Sequence, residues 1–154
     1  MRHRRVVSVD SGFTVIEMLL VVVLIGILTA VSLPYFRGSS STSSVRGAMD
    51  AVATLHAVAK ATAIGRGRMA RLVLDPATGT AVVVANKAVG TGVDTIGQLE
   101  NLATRFTVTF TTTRDTLTFT PRGISSDLSG TTIVLIRGTF SDTITVSAAG
   151  RLTR

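Results

Sequence analysis

The segment that most strongly constrains this fold is residues 13–33, an apolar run of 21 residues whose only ionisable side chain is that of Glu17. A helix rises about 1.5 Å per residue, so this segment would extend about 31 Å, close to the hydrocarbon thickness of a bilayer. We therefore predict one membrane-spanning helix near the N-terminal end of the chain.

Basic residues before this segment predict its orientation. Arg2, Arg4 and Arg5 all precede the apolar run, and positively charged residues flanking a span usually stay in the cytoplasm. We expect the N-terminus inside and everything after Leu33 outside, in the periplasm of a cell with two membranes. Two simpler interpretations stay open: a secretory signal cleaved after residues 30–32, and an uncleaved signal anchor.

The carboxylate of Glu17 favours neither simpler interpretation. A carboxylate within a membrane span costs about 2.5 to 3.5 kcal/mol on insertion scales unless a partner compensates it. If the chain is cut between Gly12 and Phe13, the new α-amine lies at a similar depth in the membrane. A neighbouring subunit shifted along a filament can then present its amine to Glu17.

The nonapeptide GFTVIEMLL at residues 12–20 resembles the class III signal of type IV pilins and type II secretion pseudopilins. The resemblance implies that prepilin peptidase cleaves after Gly12, that Phe13 is then N-methylated, and that Glu17 serves filament assembly. It also implies helix-loosening and helix-kinking roles for Gly26 and Pro34. Both roles agree with the weak helix propensity of glycine and the missing backbone donor of proline.

The rest of the chain separates into a polar joint and a head. A Ser-rich run at residues 38–44 predicts a flexible joint or a helix break. Apolar residues then recur every three or four positions, which predicts an amphipathic helix rich in alanine. The predicted parts are a leader (1–12), a transmembrane and filament-core helix (13–36), a joint (37–44), and a head (45–154) with a helix at 45–64 and a β-rich part at 68–154.

Alternation of apolar and hydroxyl residues predicts that the head is mostly antiparallel sheet. Residues 87–101 show no clear period and predict a loop. The fold class is α+β and pilin-like, with the N-terminal helix packed on a β-rich head. The predicted strands cover residues 69–74, 80–85, 104–110, 116–120, 131–137 and 143–148, with turns at 75–79, 112–115 and 138–142.

Three shorter patterns in the head are similar to those of the GspH/FimT family of minor pseudopilins. They are A-K-x-x-A-I-x-x-G at residues 59–67, L-x-F-x-P-x-G at 117–123, and Gly150-Arg151 near the end. The resemblance implies a subunit that helps initiate or cap the type II secretion pseudopilus for protein export. It implies as partners other pseudopilins or pilins, the inner-membrane assembly platform, prepilin peptidase, inner-membrane lipid and the exported protein.

Catalytic, cofactor and metal chemistry find little support in the sequence. Cysteine is absent, which excludes disulfides, thiolate metal sites and a cysteine nucleophile. His56 lies on the alanine-rich helix without a catalytic partner, and we expect it to be packed or solvated. Asp94, Glu100 and Asp127 are the only candidates for a calcium site, and they lack the usual alternation of acidic ligands. We predict that the protein is not an enzyme.

The positive charge of the chain supports one alternative function. The segment after residue 12 carries 13 basic and 8 acidic residues, a net charge of +5. Some minor pilins of the resembled family bind DNA through a Gly-Arg-x-Arg tail, and here Arg151 and Arg154 follow Gly150 with a longer spacing. The alternative is therefore a type IV pilus minor pilin that binds DNA during uptake, its phosphate contacts supplied by this tail together with the head arginines 105, 114, 122 and 137.

Overall fold

The computed structural model describes residues 13–154, apart from the side chains of residues 33–39. The predicted leader and cleavage residue Gly12 lie outside the described residues. Contacts divide the chain into two compact units that meet between Arg37 and Gly38, at the start of the predicted joint. The first contains the apolar part of one long helix, and the second contains the head.

Helix α1 spans Val15–Arg66 and is continuous through residues 37–44, so the predicted helix break in this Ser-rich segment is wrong. Serine costs only about 0.5 kcal/mol relative to alanine in a helix, which tertiary contacts readily offset. One such contact is present here, because the guanidinium of Arg137 donates a hydrogen bond to the hydroxyl of Ser44.

Helix α1 ends where the sequence pattern changes from helical to strand-like periodicity. Gly67 adopts a left-handed conformation, with φ at +62°. Its amide donates to the carbonyl of Ile64, and the amide of Arg68 donates to that of Ala63. These two bonds satisfy helix-end carbonyls in a Schellman motif, which explains why a glycine terminates the helix.

Two antiparallel four-stranded sheets follow the helix. The first has the strand order β3-β2-β1-β5 and the second β4-β6-β7-β8. The consecutive strands β4 and β5 therefore belong to different sheets. The bounds are β1 Ala70–Asp75, β2 Thr80–Asn86, β3 Val93–Asn101, α2 Leu102–Phe106, β4 Thr109–Thr112, β5 Thr116–Phe119, β6 Thr131–Arg137, β7 Phe140–Val146 and β8 Leu152–Thr153.

Three predicted elements of the head differ from the structure. Most of the predicted loop at residues 87–101 is strand β3, which pairs with β2 through a bulge opposite Val82. The predicted strand at 104–110 begins instead as helix α2, because the side chain of Asn101 accepts a hydrogen bond from the amide of Thr104 and caps the helix. The strand was predicted because threonine and phenylalanine favour strands, but the helix cap outweighs that preference. The last predicted strand, 143–148, begins earlier as β7, at Phe140, so the predicted turn at 138–142 is reduced to residues 138 and 139.

One apolar core joins the head part of α1 to both sheets. Val45, Val52 and Ala59 of the helix are buried in the same cluster as residues of β1, β2, β5, β6 and β7. The predicted alternation is confirmed on β7, where Ile144 is buried and Thr143 is exposed. The helix and the sheets therefore fold as one head, in agreement with the predicted α+β class.

Candidate functional site

The N-terminal end of α1 carries the candidate assembly residue. Thr14 caps the helix, because its hydroxyl accepts a hydrogen bond from the amide of Glu17 at 3.3 Å. Thr-x-x-Glu is the sequence of a capping box, and a carboxylate in the first helical turn interacts favourably with the helix dipole. Phe13 and Glu17 are both exposed. The helix start is thus compatible with a carboxylate that remains open to a partner from another molecule.

An uninterrupted apolar surface follows this end of the helix. Residues 15–32 are long and apolar enough to cross a membrane, and none of them is buried. The hydroxyl groups of Thr29 and Ser32 donate to the carbonyls of Ile25 and Leu28 within the helix, each at 2.7 Å. Because these polar groups are satisfied internally, the surface suits lipid or other apolar helices.

Gly26 and Pro34 both lie within α1. No atom outside the helix's own backbone approaches the position that a Cβ of Gly26 would occupy, so this glycine leaves an open notch on the helix surface. The side chain of Pro34 is outside the described residues. The proposed loosening and kinking roles of these two residues stay predictions.

The three motif segments of the head meet around the C-terminal half of α1. A Cβ at Gly123 would lie 2.7 Å from Cδ1 of Ile64, and one at Gly150 would lie 3.1 Å from Cε1 of Phe119. Both glycines have positive φ, +74° and +80°. Gly123 and Gly150 are therefore required where loops pass close to the helix and the core.

His56 sits at this junction and is a packed residue, with 8% of its surface exposed. Its ring lies edge-on against Phe119, and among the described residues its Nε2 has no hydrogen-bond partner. Burial lowers the pKa of His56 below 6.5; a hydrogen bond with the Gly150 backbone opposes this shift, and the charge of Lys60 adds to it. Burial therefore disfavours the protonated imidazole.

The candidate calcium ligands are not brought together. The carboxylate of Glu100 pairs with Arg105 at 2.5 Å, and that of Asp127 pairs with Arg114 at 3.0 Å. Asp94 lies at the start of β3, opposite Ala85. Across the described residues 13–154, no cluster of three or more metal-ligating side chains is present.

The candidate DNA-binding tail folds back onto the helix. The guanidinium of Arg154 lies 2.6 Å from the carboxylate of Asp50 on α1. The amide of Arg151 donates to the hydroxyl of Ser147, while the Ser147 amide donates to the Arg151 carbonyl. The tail is therefore the final strand of the second sheet, and one of its two arginines is already neutralised.

The other arginines nominated for a phosphate patch are mostly engaged as well. Arg105 pairs with Glu100 and stacks on Phe106, Arg114 pairs with Asp127, and Arg137 donates to Ser44 and to the Phe106 carbonyl. Of the nominated arginines in the head, Arg122 is left without such a partner among the described residues. The sequence GRGR at 65–68 places two more arginines, Arg66 and Arg68, at and just after the C-terminal end of α1.

Comparison with known proteins identifies the head. The model of the family described as Type II transport protein GspH matches residues 48–150. The fold is similar to that of the type IV minor pilin FimU of Pseudomonas aeruginosa, with a TM-score of 0.59 and 16% identity over 73% of this chain and 88% of that one. It is also similar to the minor pseudopilin EpsH of the Vibrio cholerae type 2 secretion system, with a TM-score of 0.57 and 11% identity over 71% and 94%. Curated protein sequences give no significant match.

Proposed function

This chain belongs to the GspH family of type II transport proteins, and from that premise we propose that it is a minor pseudopilin that helps initiate or cap a type II secretion pseudopilus for protein export. The observation that supports this most directly is the exposed apolar helix at residues 15–32, with Glu17 in its first turn, in the same chain as the GspH-type head. A helix of this kind is suited to both membrane anchoring and bundling in a filament.

The proposed assembly step uses the α-amine that cleavage creates at Phe13 and the side-chain carboxylate of Glu17. Prepilin peptidase cleaves after Gly12, and the amine of Phe13 is methylated. In the filament, this amine pairs with Glu17 of a neighbouring subunit, which compensates a carboxylate that is costly in an apolar environment. Gly26 and Pro34 let the helix bend as it packs into the filament. The head remains on the periplasmic side, where it contacts other pseudopilins and the exported protein.

In this role the protein performs no catalysis. Its family is a transport-protein family, and the two similar solved structures described above are a minor pilin and a minor pseudopilin. The proposed partners are other pseudopilins, the inner-membrane assembly platform, prepilin peptidase and inner-membrane lipid.

Intact-mass analysis of the membrane-extracted chain tests the proposal. We expect a mature protein that begins at N-methylated Phe13. A chain beginning near Leu33 would instead support an ordinary secretory signal, and an uncleaved chain beginning at Met1 would support a simple anchor. Either result would contradict the proposed maturation.

The likeness to FimU favours one second candidate, a minor pilin of a type IV pilus. Deletion of the gene separates the two. Loss of protein export with normal surface pili supports the secretion filament, whereas loss of pili with normal export supports the type IV pilus. The neighbouring genes give an independent indication, because a secretin beside further pseudopilins favours secretion and competence or pilus genes favour the pilus.

A further inference from the structure

Strand β3 forms an open edge of the first sheet. It has nine residues and stands at the end of the order β3-β2-β1-β5, and no other segment of residues 13–154 pairs with its outer side. The edge strands of the second sheet are shorter, with four residues in β4 and two in β8. Short or covered edge strands protect a sheet against pairing with other chains, and β3 is not short.

The opposite edge of the same sheet, strand β5, is covered. The amide of Thr118 donates to the carboxylate of Asp127 at 3.1 Å, and the carbonyl of Thr118 accepts from the amide of Ser126 at 2.9 Å. The amide of Thr120 donates to the carbonyl of Ile124 at 2.9 Å. The loop after β5 therefore satisfies the backbone groups that this edge would otherwise offer to another strand.

The hydrogen bonds of β2 show which backbone groups of β3 stay free. The amide of Asn86 donates to the carbonyl of Met69, directly before β1, so Asn86 and, two residues earlier, Val84 direct their backbone groups away from β3. Val93 lies opposite Asn86, and Thr95 lies opposite Val84. Because these pairs are not hydrogen-bonded, Val93 and Thr95 direct their N–H and C=O groups out of the sheet. Both residues are exposed.

The side chains along this edge determine which residues a partner strand needs. Val93 and Thr95 lie on the outer face of the sheet, beside the half-buried Val84. Asp94 lies between them on the other face and forms no ion pair within residues 13–154. In an added strand, the residue opposite Asp94 would belong to a non-hydrogen-bonded pair, in which side chains approach closely. A lysine or arginine there would complement the carboxylate, and apolar residues on either side would cover Val93 and Thr95.

A second copy of this chain fits the edge poorly. Two antiparallel β3 strands use all of the outward groups of Val93 and Thr95 in one register, and that register places Asp94 directly opposite its own counterpart. Like charges directly opposite each other destabilise paired strands. The edge therefore favours a different chain that carries a basic residue.

We propose that residues 93–96 of β3 accept an extended segment of a different protein by strand addition, with a lysine or arginine opposite Asp94 and apolar residues on either side of it. Backbone hydrogen bonds hold such a segment, and its alternate side chains set the specificity. The bulge opposite Val82, with Gly97 in a left-handed conformation, ends the regular edge, so the added segment is short. The site includes neither Glu17 nor the apolar helix and is independent of the proposed assembly role.

Fluorescence anisotropy tests this proposal, with the full chain in non-ionic detergent titrated into a labelled peptide of sequence STVKVTSG. One matched peptide is STVEVTSG, which reverses the charge. The other is the lysine peptide N-methylated at both valines, which loses these backbone donors and keeps every side chain. We expect the glutamate peptide to bind about fivefold or more weakly than the lysine peptide. The N-methylated peptide should show no saturable binding, because its ladder hydrogen bonds are lost.

Two pairs of variants locate the contact on the chain. Asp94→Lys should reverse the preference, so that the glutamate peptide binds better than the lysine peptide. Asp115→Lys, at an exposed position beside β5, is the matched control and should keep the wild-type preference. Thr95→Pro removes an outward amide without loss of a bond to β2, and sheet edges tolerate proline at such positions. It should abolish binding, whereas Thr95→Val should retain it.

The proposal is overturned if the lysine peptide does not bind the wild-type chain, if the N-methylated peptide binds equally well, or if Asp94→Lys keeps the wild-type preference. An equal change in Asp115→Lys would also contradict it. Dimerisation of the wild-type chain in analytical ultracentrifugation that Thr95→Pro abolishes would assign the edge to a second copy instead. If Thr95→Pro is not folded by circular dichroism, the N-methylated peptide decides whether the contact is a strand addition.

Discussion

The ring of His56 on α1 meets the ring of Phe119 on β5 edge-on, with ring centroids 5.1 Å apart and planes at 87°. Edge-to-face contacts of this kind contribute beyond the burial of area alone. This contact joins the helix to the first sheet next to the turn that contains Gly150, so the protonation state of one buried imidazole bears on the stability of the whole junction.

We expect the head to lose stability as the pH falls below about 6.5. Burial lowers the pKa of His56 in the folded chain, so the unfolded chain binds a proton at this imidazole more readily than the folded chain does. The stability that neutral His56 contributes is therefore fully present above the unfolded pKa. It is lost as the pH falls from the unfolded pKa toward the folded pKa. Melting temperatures between about pH 7.5 and 5 measure the effect. His56→Leu should show a smaller change over this range, and an identical change in both proteins would contradict the prediction.

Gly79→Ala should destabilise the head much more than Gly138→Ala. Both glycines have positive φ, +68° and +60°, but a Cβ at Gly79 would lie 2.3 Å from Cβ of Ala103, whereas the space at Gly138 is open. The conformation alone costs about 1 to 2 kcal/mol for alanine, and overpacking adds about 1 to 3 kcal/mol at Gly79. Denaturant unfolding measures both, and equal losses would show that Ala103 moves aside freely.

Asp127→Ala should destabilise the head by about 2 to 3 kcal/mol, because hydrogen bonds to a shielded charge are strong. Its carboxylate, 12% exposed, accepts from Arg114, from the amide of Thr118 and from the hydroxyl of Ser125. Glu100→Ala is the matched control, since its partner Arg105 is 63% exposed and such pairs contribute less than about 1 kcal/mol. Urea unfolding compares them; similar losses would argue against the network at Asp127.

Glu17→Ala should insert into the membrane normally, or better, and fail to enter filaments. Removing the carboxylate lifts an insertion cost of about 2.5 to 3.5 kcal/mol but removes the proposed partner of a neighbouring amine. Glu17→Gln removes the negative charge but keeps the helix cap, because glutamine also serves in a capping box. Both variants should fail in a subunit crosslinking assay. Wild-type assembly of the glutamine variant would exclude the charge contact.

The double change Arg151→Ala, Arg154→Ala should leave filament assembly nearly unchanged and lower stability by less than about 1 kcal/mol. The reason is that the pair between Arg154 and Asp50 is exposed, with 45% and 67% of the two side chains accessible. Subunit crosslinking and thermal unfolding provide the measurements. A large assembly defect with normal stability would show that the tail contacts another subunit.

Much of the fold was predictable from short-range pattern. The strand at Thr131–Arg137 has the bounds predicted for it, because alternation along one strand is visible within its own seven residues. Helix α2 and strand β3 were not predictable in this way. The former depends on the Asn101 side-chain cap, and the latter on pairing with β2 across a bulge that includes Gly97 in a left-handed conformation, which disrupts the period of the strand.

The sequence by itself determined the features that depend on neighbours along the chain: the apolar length of residues 13–33, the isolated Glu17, the glycine end of α1 and the alternating strands. Only the tertiary structure decided the features whose free energy comes from distant residues. Arg137 supports the helix at Ser44, 93 positions away, and Asp50 neutralises Arg154, 104 positions away.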